Sequence, residues 1–285
     1  MTIVEKSGMP YPKGYPIIMT GAGLCKTFNP TRISEYARAA DFAVIGSITV
    51  NPRRGNDGVK EWLDDPLFGL NAWGMPNEGL ASRVEPGYDN VIASIAGFSP
   101  EEYWELAESL ADYSAGVEIN LGCPNAGHPI PSYHPQGIAD IFECIAVSKG
   151  LIGVKLSPIL DSGMLKEVAA VLADTPIDYV ATCNTIPGGA GRLSDEWMID
   201  TAETGNLGGI SGKPLNPVSL GQAIQLRKVL PDTIDVIRVG GIETGKDVLD
   251  SMFVGCAGVQ LVTHVAQIST AEIYEIRREY ADLVG

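Results

Sequence analysis

The stretch from Gly116 to Asn125 joins an alternating apolar segment to a turn that carries two amides and one thiol. Asn120 and Asn125 flank Cys123, and Pro124 restricts the backbone of both itself and the cysteine. No His, Asp or Glu follows at triad spacing, so the pattern does not predict a thiol nucleophile. Cys123 could instead accept a proton beside a bound polar ring, although a buried cysteine more often serves as a small hydrophobic residue.

The elements that must position this turn alternate between strand and helix along the whole chain, which is typical of a parallel α/β fold. We predict one (β/α)8 barrel domain over residues 1–285, with two insertions at its rim. Strands are predicted at 17–19, 42–45, 91–96, from 116, and at 153–156, 179–183, 235–238 and 258–262. Helices are predicted at 31–39, 100–114, 138–148, 161–172, 217–229, 245–254 and from 271. The periodicity fails at 50–90 and 186–215, which we interpret as excursions over the rim.

Polar side chains follow many of these strands, and in a barrel they meet at the carboxyl-end rim, where barrel enzymes carry their active sites. Amides donate and accept hydrogen bonds, so they suit a flat ring whose edge alternates N–H and C=O groups, such as a pyrimidine or an isoalloxazine. A single asparagine at this place is more often a turn residue. The residues delivered to the rim are Ser47, Asn71, Asn120, Lys155, Asn184, Gly240, Gly241 and Thr263.

Two of these features suggest a cofactor. Gly240-Gly241 before a helix start, with Thr263 one strand later, fits the phosphate site of a barrel, although glycines also simply turn a chain. Lys155 could reach solvent or pair with an acid. Alternatively, it could stabilise negative charge on a reduced flavin.

The composition limits the partners. The 285 residues carry a formal net charge of −15, which argues against nucleic acid and anionic membranes. The amino-terminal residues lack the apolar run of a signal peptide, and no segment has transmembrane length. The five cysteines are scattered, and three histidines do not favour a histidine-rich metal site. We therefore expect a cytoplasmic protein with reduced thiols and no bound metal.

Several segments taken together resemble the dihydroorotate dehydrogenases, especially the soluble class. The matching segments are 47–50 with 54–56, 70–77, 94–97, 118–125, 153–156, 184–185, 208–212 and 240–245. The resemblance implies an FMN-dependent barrel oxidoreductase of pyrimidine biosynthesis that acts on a CH–CH bond. It also implies a homodimer and a soluble electron acceptor such as fumarate.

The resemblance also assigns roles to residues. Cys123 matches the base that takes a proton from C5 of the dihydropyrimidine while hydride leaves C6 for flavin N5, and Lys155 matches the lysine that contacts the flavin. The substrate cradle implied is Asn71, Asn120, Asn125, Asn184 and Thr185. The cofactor contacts implied are Thr20, Gly21, Ser47, Asn71, Asn120, Lys155, Ser211, Gly212, Gly240, Gly241 and Thr263.

The chain departs from the family pattern at Gly46, where the family has a lysine, and at Val262, where it has a glycine. Loss of the lysine removes a cation that would complement the carboxylate of orotate or a reduced flavin. The site could therefore serve a related ring without a carboxylate, or Arg53 or Arg54 could supply the charge.

Three alternatives to dihydroorotate oxidation remain open from the sequence. The first is a flavin oxidoreductase for another cyclic amide. The second is a Schiff-base aldolase that uses the amine of Lys155 and binds a sugar phosphate at Gly240-Gly241. The third is a barrel that binds flavin without turnover.

Overall fold

A parallel barrel forms the centre of the computed structural model, which describes residues 3, 6, 14–25, 29–64, 68–80, 89–111, 114–124, 129–145 and 150–285. Eight strands close the barrel within this part of the chain. They are β1 (Ile17–Thr20), β2 (Phe42–Ile48), β5 (Val91–Ile95), β6 (Gly116–Asn120), β7 (Leu151–Lys155), β8 (Tyr179–Ala181), β13 (Asp235–Val239) and β14 (Gly258–Leu261). All of the predicted strands are present, so the predicted (β/α)8 barrel is confirmed.

The order of these strands around the barrel is their order along the chain, and β14 closes the ring by pairing with β1. Every neighbouring pair is parallel, as in the register that places Asn120 opposite Lys155 on β6 and β7. The carboxyl ends of all eight strands therefore share one rim, which is where barrel enzymes build their sites.

Helices cover the outside of the barrel. They are α1 (Pro30–Ala39), α2 (Pro100–Leu110), α3 (Pro135–Cys144), α4 (Ser162–Ala173), α5 (Asn216–Val229), α6 (Gly245–Phe253), α7 (Thr263–Gln267) and α8 (Ala271–Val284). The side chains of Asn29, Ser99, Asp161 and Thr244 cap four of them by accepting a backbone N–H of the first turn.

Three predicted helix bounds, in two helices, were wrong, and α7 was not predicted. The helix predicted to reach Ser114 ends at Leu110. The helix predicted from Ile138 begins at Pro135, because proline is well suited to the first helical position, and it ends at Cys144.

The rim insertions contain short strands that the sequence pattern did not predict. They are β3 (Glu61–Asp64), β4 (Phe68–Asn71), β9 (Ile186–Gly189), β10 (Arg192–Leu193), β11 (Glu196–Trp197) and β12 (Gly208–Ser211). Four of them form one antiparallel sheet in the order β3-β4-β12-β9, here called the rim sheet. It joins both insertions, so the two excursions form a single structure beside the barrel mouth.

The interior of the barrel changes from apolar to polar toward the rim. Side chains such as Met19, Phe42 and Val44 fill its lower part and are fully buried. Nearer the rim the inward positions hold Glu118 and Gln260, both of them also buried. The packed core thus supports a polar floor beneath the rim. Among the described residues, no helix is long and apolar enough to cross a membrane.

Candidate active site

A cavity of about 850 Å³ opens at the rim, between the carboxyl ends of the barrel strands and the rim sheet. This volume is within the range of cofactor and substrate sites. The predicted site residues that line it are Ser47, Asn71, Asn120, Cys123, Lys155, Asn184, Thr185, Ser211, Gly212, Gly240, Gly241 and Thr263. The structure therefore brings residues from both ends of the chain into one cavity.

Asn120 lies at the centre of a chain of amides and hydroxyls on the cavity wall. Its Nδ2 donates to Ser47 Oγ at 2.8 Å, and Ser47 Oγ lies 2.8 Å from Ser94 Oγ. Its Oδ1 accepts from the backbone N–H of Gly122 at 3.1 Å and from Asn184 Nδ2 at 3.3 Å. These contacts fix both amide orientations, so the two asparagines present defined polar groups to the cavity.

Cys123 follows directly after this fixed strand end. Leu121 N donates to Lys155 O at 2.9 Å, and a side chain at Gly122 would lie 2.7 Å from the backbone of Leu156. The turn therefore packs against the end of β7 without space for a larger residue. Cys123 is half-buried and lines the cavity as a thiol. The structure therefore places the Cys123 side chain at the cavity on a closely packed turn.

A second thiol on the cavity wall has a different environment. Cys183 is buried and donates from Sγ to Val239 O at 3.0 Å. Burial raises the pKa of this thiol to about 12. Since only the thiolate is a good proton acceptor, Cys183 is poorly suited to accept a proton.

Lys155 and Gln260 form the floor of the cavity, and Glu118 lies in the barrel interior with them. Lys155 is 4% exposed and Glu118 is fully buried. Burial raises the pKa of Glu118, while the charge of Lys155 and hydrogen bonds from Gln260 and Tyr179 act in the opposite direction. Because Lys155 is so deeply buried, its charge interacts with groups in the cavity through protein of low dielectric constant rather than through bulk water.

Two glycines form the other end of the cavity. Gly240 and Gly241 have φ values of +112° and +70°. A side chain on Gly240 would lie 2.6 Å from Leu215, and one on Gly241 would lie 2.5 Å from the backbone of Asn216. Only glycine fits this close turn, which leaves its backbone accessible to a ligand.

The glycine turn is held from below by Arg238, which is fully buried. Arg238 donates to Ser219 Oγ at 3.0 Å and to Asn216 O at 3.0 Å. Asn216 in turn donates to Gly241 O at 2.6 Å. Arg238 therefore ties the turn to the first residues of α5.

The rim sheet supplies the remaining wall. Asn71 ends β4 and pairs with Gly209 of β12. A side chain on Gly209 would overlap Thr185, and one on Gly69 would lie 2.7 Å from Ser211 Oγ. These glycines thus allow polar side chains of both insertions to meet at the cavity.

Three predicted contacts are not among the described lining residues. Thr20 and Gly21 do not line the cavity, because Thr20 is buried as the last residue of β1 and Gly21 N still donates to Leu261 O at 2.9 Å. The same loop reaches the cavity only from Ala22 onward. Asn125 lies outside the described residues.

Neither rim arginine replaces the missing lysine. Arg53 donates to Gly74 O at 3.2 Å and stacks its guanidinium 4.8 Å from the Phe98 ring centroid, while Arg54 pairs with Asp57 on the surface. Neither lines the cavity. The contacts of these two arginines therefore do not favour the alternative in which one of them supplies the charge.

Sequence reasoning missed three kinds of lining residue. Gln260 lies inward on β14, two residues before Val262, so the period of two along a strand could have indicated it. Glu61 enters the wall through the unpredicted rim sheet. Arg32 of α1 lines an arm of the cavity beside Asn29, and no local signal marks it.

The fold and this cavity define a (β/α)8 barrel with an amide-lined cavity and a glycine turn at its rim. A family model for dihydroorotate dehydrogenase matches residues 15–283. The chain belongs to the dihydroorotate dehydrogenase family, as its sequence resemblance predicts. It is accordingly a flavin-dependent oxidoreductase that acts on CH–CH bonds.

Individual relatives agree. The catalytic subunit of dihydroorotate dehydrogenase B (NAD(+)) from Methanopyrus kandleri is 30% identical over 259 residues, 86% of this chain and 80% of the relative. A putative dihydroorotate dehydrogenase A (fumarate) from Streptococcus equi subsp. equi is 27% identical over 281 residues, 94% of this chain and 89% of the relative. The crystal structure of DHODH from Eimeria tenella in complex with ferulenol has a TM-score of 0.78 at 18% identity, and the match covers 94% of this chain and 81% of that one. At that identity the likeness concerns the fold alone.

Proposed function

We propose that residues 1–285 act as one FMN-binding barrel domain that oxidises dihydroorotate or a related dihydropyrimidine. The observation that carries this proposal is the single cavity in which a thiol, three amides, a lysine and a glycine cradle meet. Cys123 and Lys155 are the proposed catalytic residues. The proposed substrate contacts are Asn71, Asn120, Asn184 and Thr185, together with Asn125.

The described residues fit FMN. The glycines at 240 and 241 leave a cradle that a Cβ would fill, and Thr263 opens the short helix after the last strand, where barrel folds bind phosphate. Ser211, Gly212, Ser47 and Lys155 line the path between the cradle and the amides. When bound, FMN supplies the acceptor for a hydride.

In this proposal the protein residues orient the substrate, remove a proton from it and stabilise the charge that develops. Asn120 and Asn184 orient the substrate ring through amides that are already fixed by hydrogen bonds. Cys123 removes the proton from C5 of the ring as the hydride leaves C6. Lys155 stabilises negative charge that develops at the cavity floor.

The first prediction is that the protein binds one FMN per chain without a covalent bond. Supernatant released by heat and separated by chromatography should contain FMN in a one-to-one ratio to the chain. FAD, or no flavin after reconstitution, would contradict the assignment. Absence of yellow colour would favour the aldolase alternative.

A second candidate, oxidation of a neutral cyclic amide, is favoured by Gly46. Its φ is +111°, and a Cβ there would lie 2.7 Å from Ser94 O and 2.9 Å from Ile48 N. Position 46 therefore has no room for the family lysine. Among the described lining residues Lys155 and Arg32 are cations, whereas Glu35, Glu61 and Glu243 are carboxylates; Glu61 lies opposite Asn71.

The second prediction concerns this charge balance. Loss of a charged hydrogen bond costs ~1.5–3 kcal/mol, so dihydroorotate should bind ~10–150-fold more weakly than it would with the cation present. A neutral ring such as dihydrouracil should escape this penalty. Glu61→Lys should recover affinity for dihydroorotate alone, since position 46 itself cannot accept a lysine. Glu61→Gln is the matched control.

The measurement is flavin bleaching as a function of substrate concentration for both ligands. Tight binding of dihydroorotate by the unmodified protein would contradict the claim that the site lacks a cation for the substrate carboxylate. An equal change for both ligands in Glu61→Lys would do the same.

The remaining partners are part of the same proposal. We expect a homodimer in the cytoplasm and a soluble electron acceptor. Fumarate is named for the Streptococcus equi relative and NAD(+) for the Methanopyrus kandleri relative. Reoxidation of the bleached protein by fumarate, compared with NAD(+), distinguishes the two acceptors.

A further inference from the structure

Glu118 is a buried acid that the proposed reaction does not use. It lies two residues before Asn120 on β6, so both side chains point into the barrel. Its exposed fraction is 0%, and it does not line the cavity. A carboxyl group at this depth is costly unless it is well paired or neutral, so it calls for an explanation.

The contacts of Glu118 come from two neighbours inside the barrel. Its Oε2 accepts from Tyr179 Oη at 3.1 Å and from Gln260 Nε2 at 2.5 Å. Its Oε1 is buried without a hydrogen-bond partner, and among the described residues it forms no salt bridge within 4.0 Å. Complete burial without an ion-pair partner disfavours the charged form of this acid, whereas the two hydrogen bonds that it accepts act in the opposite direction.

The residues around Glu118 leave room for its side chain and supply its hydrogen-bond donors. A side chain at Gly153, which pairs with both Glu118 and Tyr179, would overlap the Tyr179 ring. The missing side chain lets the ring lie across β7 and reach Glu118 with its hydroxyl. Gln260, the other donor, lines the cavity floor together with Lys155. Gln260 therefore lies between Glu118 and the cavity, so a single side chain separates the acid from a bound ligand.

We propose that Glu118 is a positioning residue of the flavin site: as a neutral acid it leaves the charge of Lys155 undiminished at the cavity floor, and its ionisation would oppose that charge. This inference rests on the proposed FMN-dependent function. Burial, the largest influence, raises the pKa of Glu118, which agrees with a neutral acid. A buried carboxylic acid held neutral is a recurrent device of enzymes that manage negative charge.

Few charged or titratable groups on the other strands face Glu118 and could influence its ionisation. Lys155 comes from β7, and Tyr179 from β8 has a pKa raised well above its usual value by burial, then by Glu118. Gln260 of β14 is neutral. The other strands contribute uncharged side chains, namely Met19, Val44, Ser94 and Ile237.

The test is the equilibrium ratio of reduced to oxidised FMN at a fixed potential, measured on the holoenzyme across pH. In the unmodified protein this ratio should fall more steeply as pH rises through the titration of Glu118, because a carboxylate disfavours electrons on the cofactor. Glu118→Gln keeps the shape of the neutral acid. It should match the unmodified protein at low pH and exceed its ratio by roughly 10–100-fold above the titration.

Two further variants separate this role from a structural one. Asp235→Asn makes the same acid-to-amide change at the amino end of β13, where Asp235 accepts from Ile3 N at 2.8 Å, and it should follow the unmodified curve. Tyr179→Phe keeps the ring over Gly153 but removes a hydrogen bond that lowers the pKa of Glu118, so the step should move to higher pH. This variant also serves if Glu118→Gln fails to fold.

Three results would overturn the inference. Identical curves for the unmodified protein and Glu118→Gln would show that Glu118 does not act on the cofactor. A constant difference at every pH would show that the acid is ionised throughout. If Tyr179→Phe does not shift the pH at which the ratio of reduced to oxidised FMN changes, the group that titrates there is not Glu118. Failure to bind FMN in the unmodified protein would instead contradict the proposed function.

Discussion

Cys123→Ala should retain FMN and lose most of its substrate-driven flavin reduction. A positioned general base contributes ~10²–10⁴-fold to a rate, and alanine cannot accept the C5 proton. Stopped-flow bleaching of the flavin by substrate measures this step directly. FMN content, determined on the same sample, shows whether the site is otherwise intact.

Cys144→Ala is the matched control, because Cys144 is a half-buried thiol on α3 that does not line the cavity. It should reduce its flavin at the unmodified rate. If the Cys123 variant also stays within a factor of about two, the thiol is only a small packing residue, as many buried cysteines are. The proton would then need another acceptor, and Cys183 is a poor one because burial raises its pKa to about 12.

The barrel could be predicted from the sequence because each strand and helix carries its own local pattern. The run from Gly116 to Asn120 is an inward and outward alternation, and Ser99-Pro100 marks a helix start that the structure keeps. Residues that follow such strands reach the rim by geometry alone. Asn120, Lys155 and Asn184 therefore meet in the cavity as expected.

The rim sheet could not be predicted in this way. Its strands are each four residues long, and they contain Gly69, Gly208 and Gly209, which weaken any strand pattern. They form because β4 and β12, which lie far apart in sequence, pair across the two insertions. Glu61 was missed as a lining residue for the same reason.

Gly46 shows a different limit. Its identity was visible, but the φ of +111° and the close approach to Ser94 O were not. The sequence alone showed the loss of a family lysine, whereas the structure shows that the backbone there excludes any side chain without a shift.

Lys155→Met should give the second large effect, a loss of ~10²–10³-fold in flavin reduction, comparable to removal of one preorganised charge-stabilising donor. Methionine keeps much of the apolar length of the side chain, so the floor beside Gln260 should stay packed. The equilibrium ratio of reduced to oxidised FMN should fall as well, because Lys155 is 4% exposed and its charge is weakly screened there.

The same variant decides between the flavin enzyme and the Schiff-base aldolase. Lys166→Met, a change on the exposed face of α4, is the control and should alter neither rate nor ratio. Borohydride should trap no adduct between a carbonyl substrate and Lys155 in the unmodified protein, because the lysine acts there as a cation and not as a nucleophile. A trapped adduct that disappears in Lys155→Met would establish the aldolase chemistry. A ratio unchanged by Lys155→Met would show that the lysine only packs beneath the cavity, and the charge on the reduced cofactor would then have to be balanced from the glycine cradle at Gly240 and Gly241.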